Sequence, residues 1–263
     1  MEFARLDRAM MLSRRYELKF PMGVEGIQAF LAEARGGLEQ DEHGREAAYR
    51  VSSQYFDTPD QAAYREKQDG EAVRKKLRLR FYSIDPGDPG DRSSGPRVRM
   101  AFMEIKHRVD NTVFKERLGL TDEGAQAILS DSRELARIEQ HIVPADLKQR
   151  ATIETIVRSA VVPGFKAANV ITYLREAWEG SRDARLRITF DTNLRVYRPA
   201  EFLDVASGTG GLLLPEDRSI LEVKFDHAIP RWIRDVIVSQ KLQLRRFSKY
   251  AAGCEVLARS AAR

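Results

Sequence analysis

Between residues 73 and 82 the chain reads VRKKLRLRFY, with Arg74, Lys76, Arg78 and Arg80 on one parity and Leu77, Leu79 and Phe81 on the other. Successive side chains of a β-strand leave opposite faces, so this stretch predicts a strand with one cationic face and one apolar face. The same two-residue period returns over residues 14–20, where Arg15, Glu17 and Lys19 oppose Tyr16, Leu18 and Phe20. Over 97–108, Glu104, Lys106 and Arg108 alternate with Met103, Ile105 and His107, and over 112–120 Lys115 and Arg117 are in phase. Residues 184–196 set Arg185, Arg187, Thr189 and Asp191 against Leu186, Ile188 and Phe190, and 219–226 set Glu222, Lys224 and Asp226 against Leu221, Val223 and Phe225. Stretches 49–56 and 165–178, the latter carrying Arg175, complete the predicted strands.

Helical spacing replaces alternation in four places. Val24, Ile27, Phe30, Leu31 and Ala34 predict a helix over 23–35 that Gly36-Gly37 ends, and Asp57-Thr58-Pro59-Asp60 is a turn that caps a short helix over 60–68. Residues 121–162 form a helical insert, and Trp232, Ile233, Val236 and Ile237 mark one side of a helix over 230–241. A last helix ends near Leu257. Asp110-Asn111 is a hairpin turn; DPGDPGDRSSGP over 85–96 is a flexible loop; the Gly-rich run at 207–211 lacks the context of a phosphate-cradling loop and reads as a connector. The first 13 residues form an arm. The rest, with no dividing linker, predicts one domain over 1–263.

Six strands with one charged face leave two ways to build a sheet. Several amphipathic helices also need an apolar surface, and the outward face of the sheet is the one available. The expected fold is therefore α+β, an antiparallel β-barrel or tunnel with a charged interior and helices packed outside. Its interior would carry Arg15, Lys19, Arg78, Arg80, Lys106, Arg175, Arg187, Lys224 and Lys249. Such a lining is unfavourable without anions, and guanidinium forks match phosphate oxygens, so polyphosphate chains are the natural occupants. Glu17, Glu104 and Glu222 either hold neighbouring cations in place or coordinate Mg²⁺ or Mn²⁺, hard cations that take oxygen ligands.

Composition changes this picture little. Lys and Arg total 44 against 39 Asp and Glu, a net charge of +5 in 263 residues, so a basic site must come from local arrangement. The single Cys254 excludes an internal disulfide, and no apolar run approaches the length of a membrane span. A cytoplasmic protein without a membrane span is expected. No nucleic-acid motif is present, and Phe81 and Phe190 fall on the apolar parity, where they cannot stack bases among the cations. No histidine is placed for general-base work: His107 also lies on the apolar parity.

The segments RYELKF, SQYFDT, KLRLRFY, MEIKHR, YLREAW, LRITFDTNLR, LEVKFD and RRFSKY, in this order from Arg15 to Tyr250, resemble the VTC-type polyphosphate polymerase domain within the triphosphate tunnel metalloenzyme (CYTH-like) superfamily. The resemblance implies a tunnel-forming antiparallel barrel and metal-dependent transfer of the ATP γ-phosphate to a growing polyphosphate chain. It assigns phosphate binding to Lys19, Arg78, Arg80, Lys106, Arg175, Arg187 and Lys249, and to Arg246. It makes Glu222 the metal ligand, with Glu17 and Glu104 as further candidates, and implies ATP, inorganic polyphosphate and Mn²⁺ or Mg²⁺ as partners. The first six of those basic residues are the ones expected to act directly in catalysis; Lys224 joins the phosphate set from its parity alone. The triphosphatase branch typically opens with Glu-x-Glu-x-Lys, whereas this chain has Arg15-Tyr16-Glu17-Leu18-Lys19, which agrees with the polymerase branch. Larger eukaryotic polymerases of this type carry a helical sensor domain and a membrane region that this chain lacks, so coupling to translocation is not expected. Two alternatives stay open: a triphosphatase or polyphosphatase that uses water as acceptor, and a non-catalytic polyphosphate-binding module.

Overall fold

The computed structural model describes residues 16–34, 36–41, 48–83, 98–110, 112–161, 164–201 and 210–262. The N-terminal arm, Arg15, the 85–96 loop and residues 207–209 of the Gly-rich connector lie outside them. The strands are β1 (Tyr16–Gly23), β2 (Leu38–Gln40), β3 (Tyr49–Asp57), β4 (Val73–Ser83), β5 (Val98–Val109), β6 (Thr112–Leu120), β7 (Lys166–Gly180), β8 (Asp183–Tyr197), β9 (Gly211–Leu212) and β10 (Arg218–Phe225). The helices are α1 (Gly26–Glu33), α2 (Ala62–Gln68), α3 (Asp122–Ser130), α4 (Arg150–Val161), α5 (Arg231–Ser239) and α6 (Lys249–Ala261). The helical insert is thus α3 and α4 joined by 3-10 turns at Ser132–His141 and Pro144–Asp146.

Every pairing is antiparallel, in the order β1-β10-β8-β7-β3-β4-β5-β6, with β2 beside β7 and β9 beside β8. The expected closed barrel is not made by hydrogen bonds: among the described residues no pairing joins β6 to β1. The sheet nevertheless curls. Six strand spacings separate β5 from β1, about 29 Å in a flat sheet, yet Lys106 Nζ on β5 donates to Glu17 Oε2 on β1 at 2.8 Å.

Curling sorts the two parities. On the convex side Leu77, Leu79, Met103, Ile105 and Leu118 pack against Ala125 and Ile128 of α3, Leu135 and Ile138, and Ile153 and Ile156 of α4. Phe20, Ile188, Phe190, Leu221 and Val223 pack against Ile27 and Phe30 of α1 and Ile233, Val236 and Ile237 of α5. Burying such apolar faces contributes about 25 cal/mol per Å², and it leaves the charged parity on the concave side. His107 follows its parity to the convex side, where its ring stacks on Phe114 at 4.5 Å.

Three local departures from expectation have simple causes. Strand β1 runs through Pro21, which pairs with Ile220, because β1 is an edge strand and needs no N–H on its open side. Helix α2 starts at Ala62, two residues late, since Gln61 adopts φ 58°; Thr58 Oγ1 then accepts from Ala62 N at 2.8 Å and Asp57 Oδ1 from Ala63 N at 2.9 Å. Helix α6 does not join the outer layer. Its Gly253 lies against Ile171, Val196 and Asn169, and Ile171 and Asn169 share the inward parity of Tyr173 and Arg175. A Cβ at position 253 would come within 2.6 Å of Ile171, so the missing side chain is what lets the helix seat there.

Candidate functional site: a cation-lined concave face

Register decides which charges meet. In the β4–β5 ladder Arg78 stands opposite Glu104 and Arg80 one pleat further along. Arg78 Nε and Nη2 both donate to Glu104 Oε2, at 2.9 and 2.7 Å, and Nη1 to the Tyr55 hydroxyl at 3.2 Å. Lys115 Nζ donates to Glu104 Oε1 at 3.0 Å. Glu104 is 0% exposed with both oxygens engaged; against the penalty of burial, Arg78, Arg80 and Lys115 hold its carboxyl far below the ordinary range. Arg80 is fixed by Ser53 Oγ at 3.1 Å and the Tyr173 hydroxyl at 3.1 Å.

Across the concave face lies a second carboxylate centre. Glu222 of β10 receives Lys249 Nζ at 2.7 Å and Lys19 Nζ at 3.3 Å on Oε1, and Lys224 Nζ at 2.9 Å and Arg175 Nη2 at 3.3 Å on Oε2. Arg175 also makes a two-pronged pair with Asp191, 2.7 Å at each oxygen, and Lys249 bonds Asp191 as well. Burial opposes the charge on Glu222, but Lys19, Lys224, Lys249 and Arg175 hold it well below the carboxylate norm. Thr189, opposite Glu222 in the β10–β8 register, is fully buried, and its hydroxyl has no hydrogen-bond partner among the described residues. Glu17 joins the two centres, binding Lys106 at 2.8 Å and Lys19 at 3.0 Å; these two cations lower its pKa in spite of burial.

The structure therefore brings together Lys19, Arg78, Arg80, Lys106, Arg175, Lys224 and Lys249 with Glu17, Glu104 and Glu222. Arg187 sits at the margin: it stands beside Lys224 in register but pairs with Asp41 and with Glu179, the latter at 3.3 Å. Arg246 is exposed in the segment that leads into α6. Sequence reasoning placed Asp191, Lys115 and Lys76 on charged parities without carrying them into the site, and it passed over the hydroxyls of Tyr55 and Tyr173. Parity with Arg187, Arg117 and Arg78 was a usable signal for the first three; the two tyrosines read as apolar and could not be told from core. No three His, Cys, Asp or Glu side chains converge as a metal-binding group among the described residues.

A curled antiparallel sheet with charge on its concave face and helices on its convex face defines an α+β protein built to expose side chains inward. A solved structure from Hippeastrum, a candidate adenylyl cyclase described as having a dominant triphosphatase activity, shares this fold, with a TM-score of 0.53, 11% identity, and coverage of 92% of this chain and 94% of that one. A candidate adenylate cyclase from Bacillus halodurans aligns at a TM-score of 0.49 and 9% identity over 90% of this chain and 94% of its own. The VTC domain family matches residues 14–258, and the chain belongs to that family. No curated protein matches it. Among the described residues no helix is long and apolar enough to cross a membrane.

Proposed function

We propose that the concave face binds the triphosphate of ATP together with the end of an inorganic polyphosphate chain, and that the γ-phosphate passes from one to the other as its bond to the β,γ-bridging oxygen breaks and ADP leaves. One observation carries the reading. Lys19, Lys76, Arg78, Arg80, Lys106, Lys115, Arg175, Lys224 and Lys249 share this face with Glu17, Glu104, Asp191 and Glu222, nine basic side chains against four acidic ones. A folded protein keeps such an excess inward where anions complete it. The sheet, with α6 against its concave side, would act as a tunnel for an extended chain.

Arg78, Arg80 and Arg175 have their planes fixed by Glu104, Ser53, Tyr173 and Asp191, so they present preset forks to phosphate oxygens. The ammonium groups of Lys19, Lys106, Lys224 and Lys249 balance charge that shifts between bridging and terminal oxygens during transfer. The attacking group is a terminal phosphate of the acceptor chain. It is already anionic at neutral pH, so in-line attack on the γ-phosphorus needs no general base, consistent with a concave face on which the described residues place no histidine. Glu222, whose oxygens are occupied by Lys19, Lys224, Lys249 and Arg175, is the carboxylate that would share Mg²⁺ or Mn²⁺ with substrate phosphates once those cations turn to the polyanion. Bound there, the ion would supply neutralisation and polarisation of phosphate oxygens.

Water in place of the acceptor chain would make the same cradle a triphosphatase, the activity described for the Hippeastrum structure. Incubation with γ-labelled ATP and Mn²⁺ or Mg²⁺, followed by separation of long chains from free phosphate, decides between them. Labelled long chains are expected, with turnover lowered about 100- to 1000-fold in Glu222→Gln. Free phosphate alone would move the assignment to hydrolysis, and tight polyphosphate binding without turnover would make the chain a binding module.

A further inference from the structure

Lys76 differs from the other lysines of the concave face. Lys19, Lys106, Lys115, Lys224 and Lys249 each have a carboxylate oxygen within 3.3 Å. Lys76 has no carboxylate partner among the described residues: its Nζ donates to Ser248 Oγ at 2.8 Å and lies 5.3 Å from the centre of the Tyr250 ring. Ser248 is also the N-cap of α6, accepting from Ala251 N at 3.3 Å.

The four charges that act on it most strongly are all cations. Lys106 faces it from β5, Lys19 from β1, Lys67 from α2 and Arg74 from its own strand. On β1 the facing carboxylate, Glu17, is already shared by Lys19 and Lys106. From α6 come the Ser248 hydroxyl and Tyr250, whose hydroxyl is engaged by Asp57. Burial first, and then these cations, push Lys76 down to about 7, while the face of the Tyr250 ring works weakly the other way. A hydroxyl both accepts and donates, so Ser248 can serve Lys76 with or without its charge.

We infer that Lys76 is a phosphate-binding residue that holds its proton only weakly in the empty protein, gives it up as pH rises past neutrality, and regains it as the polyanion enters. The proton passes from buffer to the Nζ lone pair, one N–H bond forms, and the new ammonium faces a phosphate oxygen that no internal carboxylate competes for. The inference rests on the polyanion reading of the concave face and adds to it a coupling between affinity and pH. An ammonium with an anionic partner regains its ordinary high pKa, so affinity is full below pH 7 and declines as pH rises above it.

Titration calorimetry of the full chain with metal-free inorganic tripolyphosphate tests this, in buffers of differing ionisation enthalpy and at pH 6.5 and 8.5. Lys76→Arg is the reference, because its guanidinium keeps the charge throughout and cancels the ligand's own protonation. The expected result is that wild-type protein takes up close to one proton more than Lys76→Arg at pH 8.5. Its affinity should also fall about 20- to 30-fold more than that of the variant between the two pH values. Lys76→Met should bind more weakly than wild type at pH 6.5 and show no extra uptake. Equal proton uptake and equal pH dependence in wild type and Lys76→Arg, both binding well, would overturn the inference and leave the polyanion reading intact; unimpaired binding by Lys76→Met would do the same. No tripolyphosphate binding by the wild type would overturn both.

Discussion

Glu104 on β5 and Glu222 on β10 occupy opposite halves of the concave face and gather positive charge in different ways. Around Glu104 the partners are Arg78 and Arg80 from the adjacent strand β4 and Lys115 from β6 on its other side, all delivered by backbone register. Around Glu222 three of the four partners are lysines, and one of them, Lys249, comes from a helix that joins the sheet only through tertiary packing. A guanidinium is a rigid fork, whereas an ammonium is a point charge on a flexible stem. On the proposed function, the Glu104 half would hold arginines in place and the Glu222 half would rearrange when phosphate and a cation arrive.

Glu104→Gln is the largest test of that difference. Removing one partner from a fully buried cluster typically costs about 3–5 kcal/mol, and urea unfolding should show a loss of that order, larger than for Glu222→Gln, whose lysines can turn away. Equal losses would erase the distinction between the halves. Acid comes next and should act on both. Glu17, Glu104, Asp191 and Glu222 all have folded-state pKa values below their unfolded ones. Their stabilisation is therefore present above about pH 4.5 and is lost as pH falls toward the depressed values. A scan of Tm should be flat from pH 6 to 5 and drop by about 5 °C or more by pH 3, and a flat profile down to pH 3 would contradict the ion pairing described.

Arg78→Lys sharpens the comparison from the ligand side. The fork to Glu104 and Tyr55 is lost while charge is kept, so tripolyphosphate should bind about tenfold more weakly, near 1.4 kcal/mol; unchanged affinity in calorimetry would mean that charge alone suffices. The smallest effect is expected at the seat of α6. Tyr250→Phe removes the hydroxyl bonded to Asp57, which should lower stability by about 1 kcal/mol and speed amide exchange in α6 before it does so in β4.

Much of this architecture was legible in the residues. Alternation in KLRLRFY, MEIKHR and LEVKFD is a local property with a period of two, and it placed Arg78, Lys106, Lys224 and Glu222 on one face and Leu79, Ile105 and Val223 on the other without knowledge of any neighbour. The need of amphipathic helices for an apolar surface then set which face turned inward. The family was legible for the same reason, since its motifs are these strands. What alternation could not supply was partnership. Asp191 and the Tyr55 and Tyr173 hydroxyls became part of the site through strand register, which sequence period does not specify.

By itself, then, the sequence determined eight of the ten strands, their charged and apolar parities, the outer helices and the family, and missed only the short β2 and β9. Only the tertiary structure decided that the sheet curls without closing in backbone hydrogen bonds, that α6 lies against the concave side, and that Glu17 meets a lysine 89 residues away. The physical reason is one of range. Side-chain direction is set within two residues, whereas an ion pair between distant strands depends on the summed twist and curl of every strand between them.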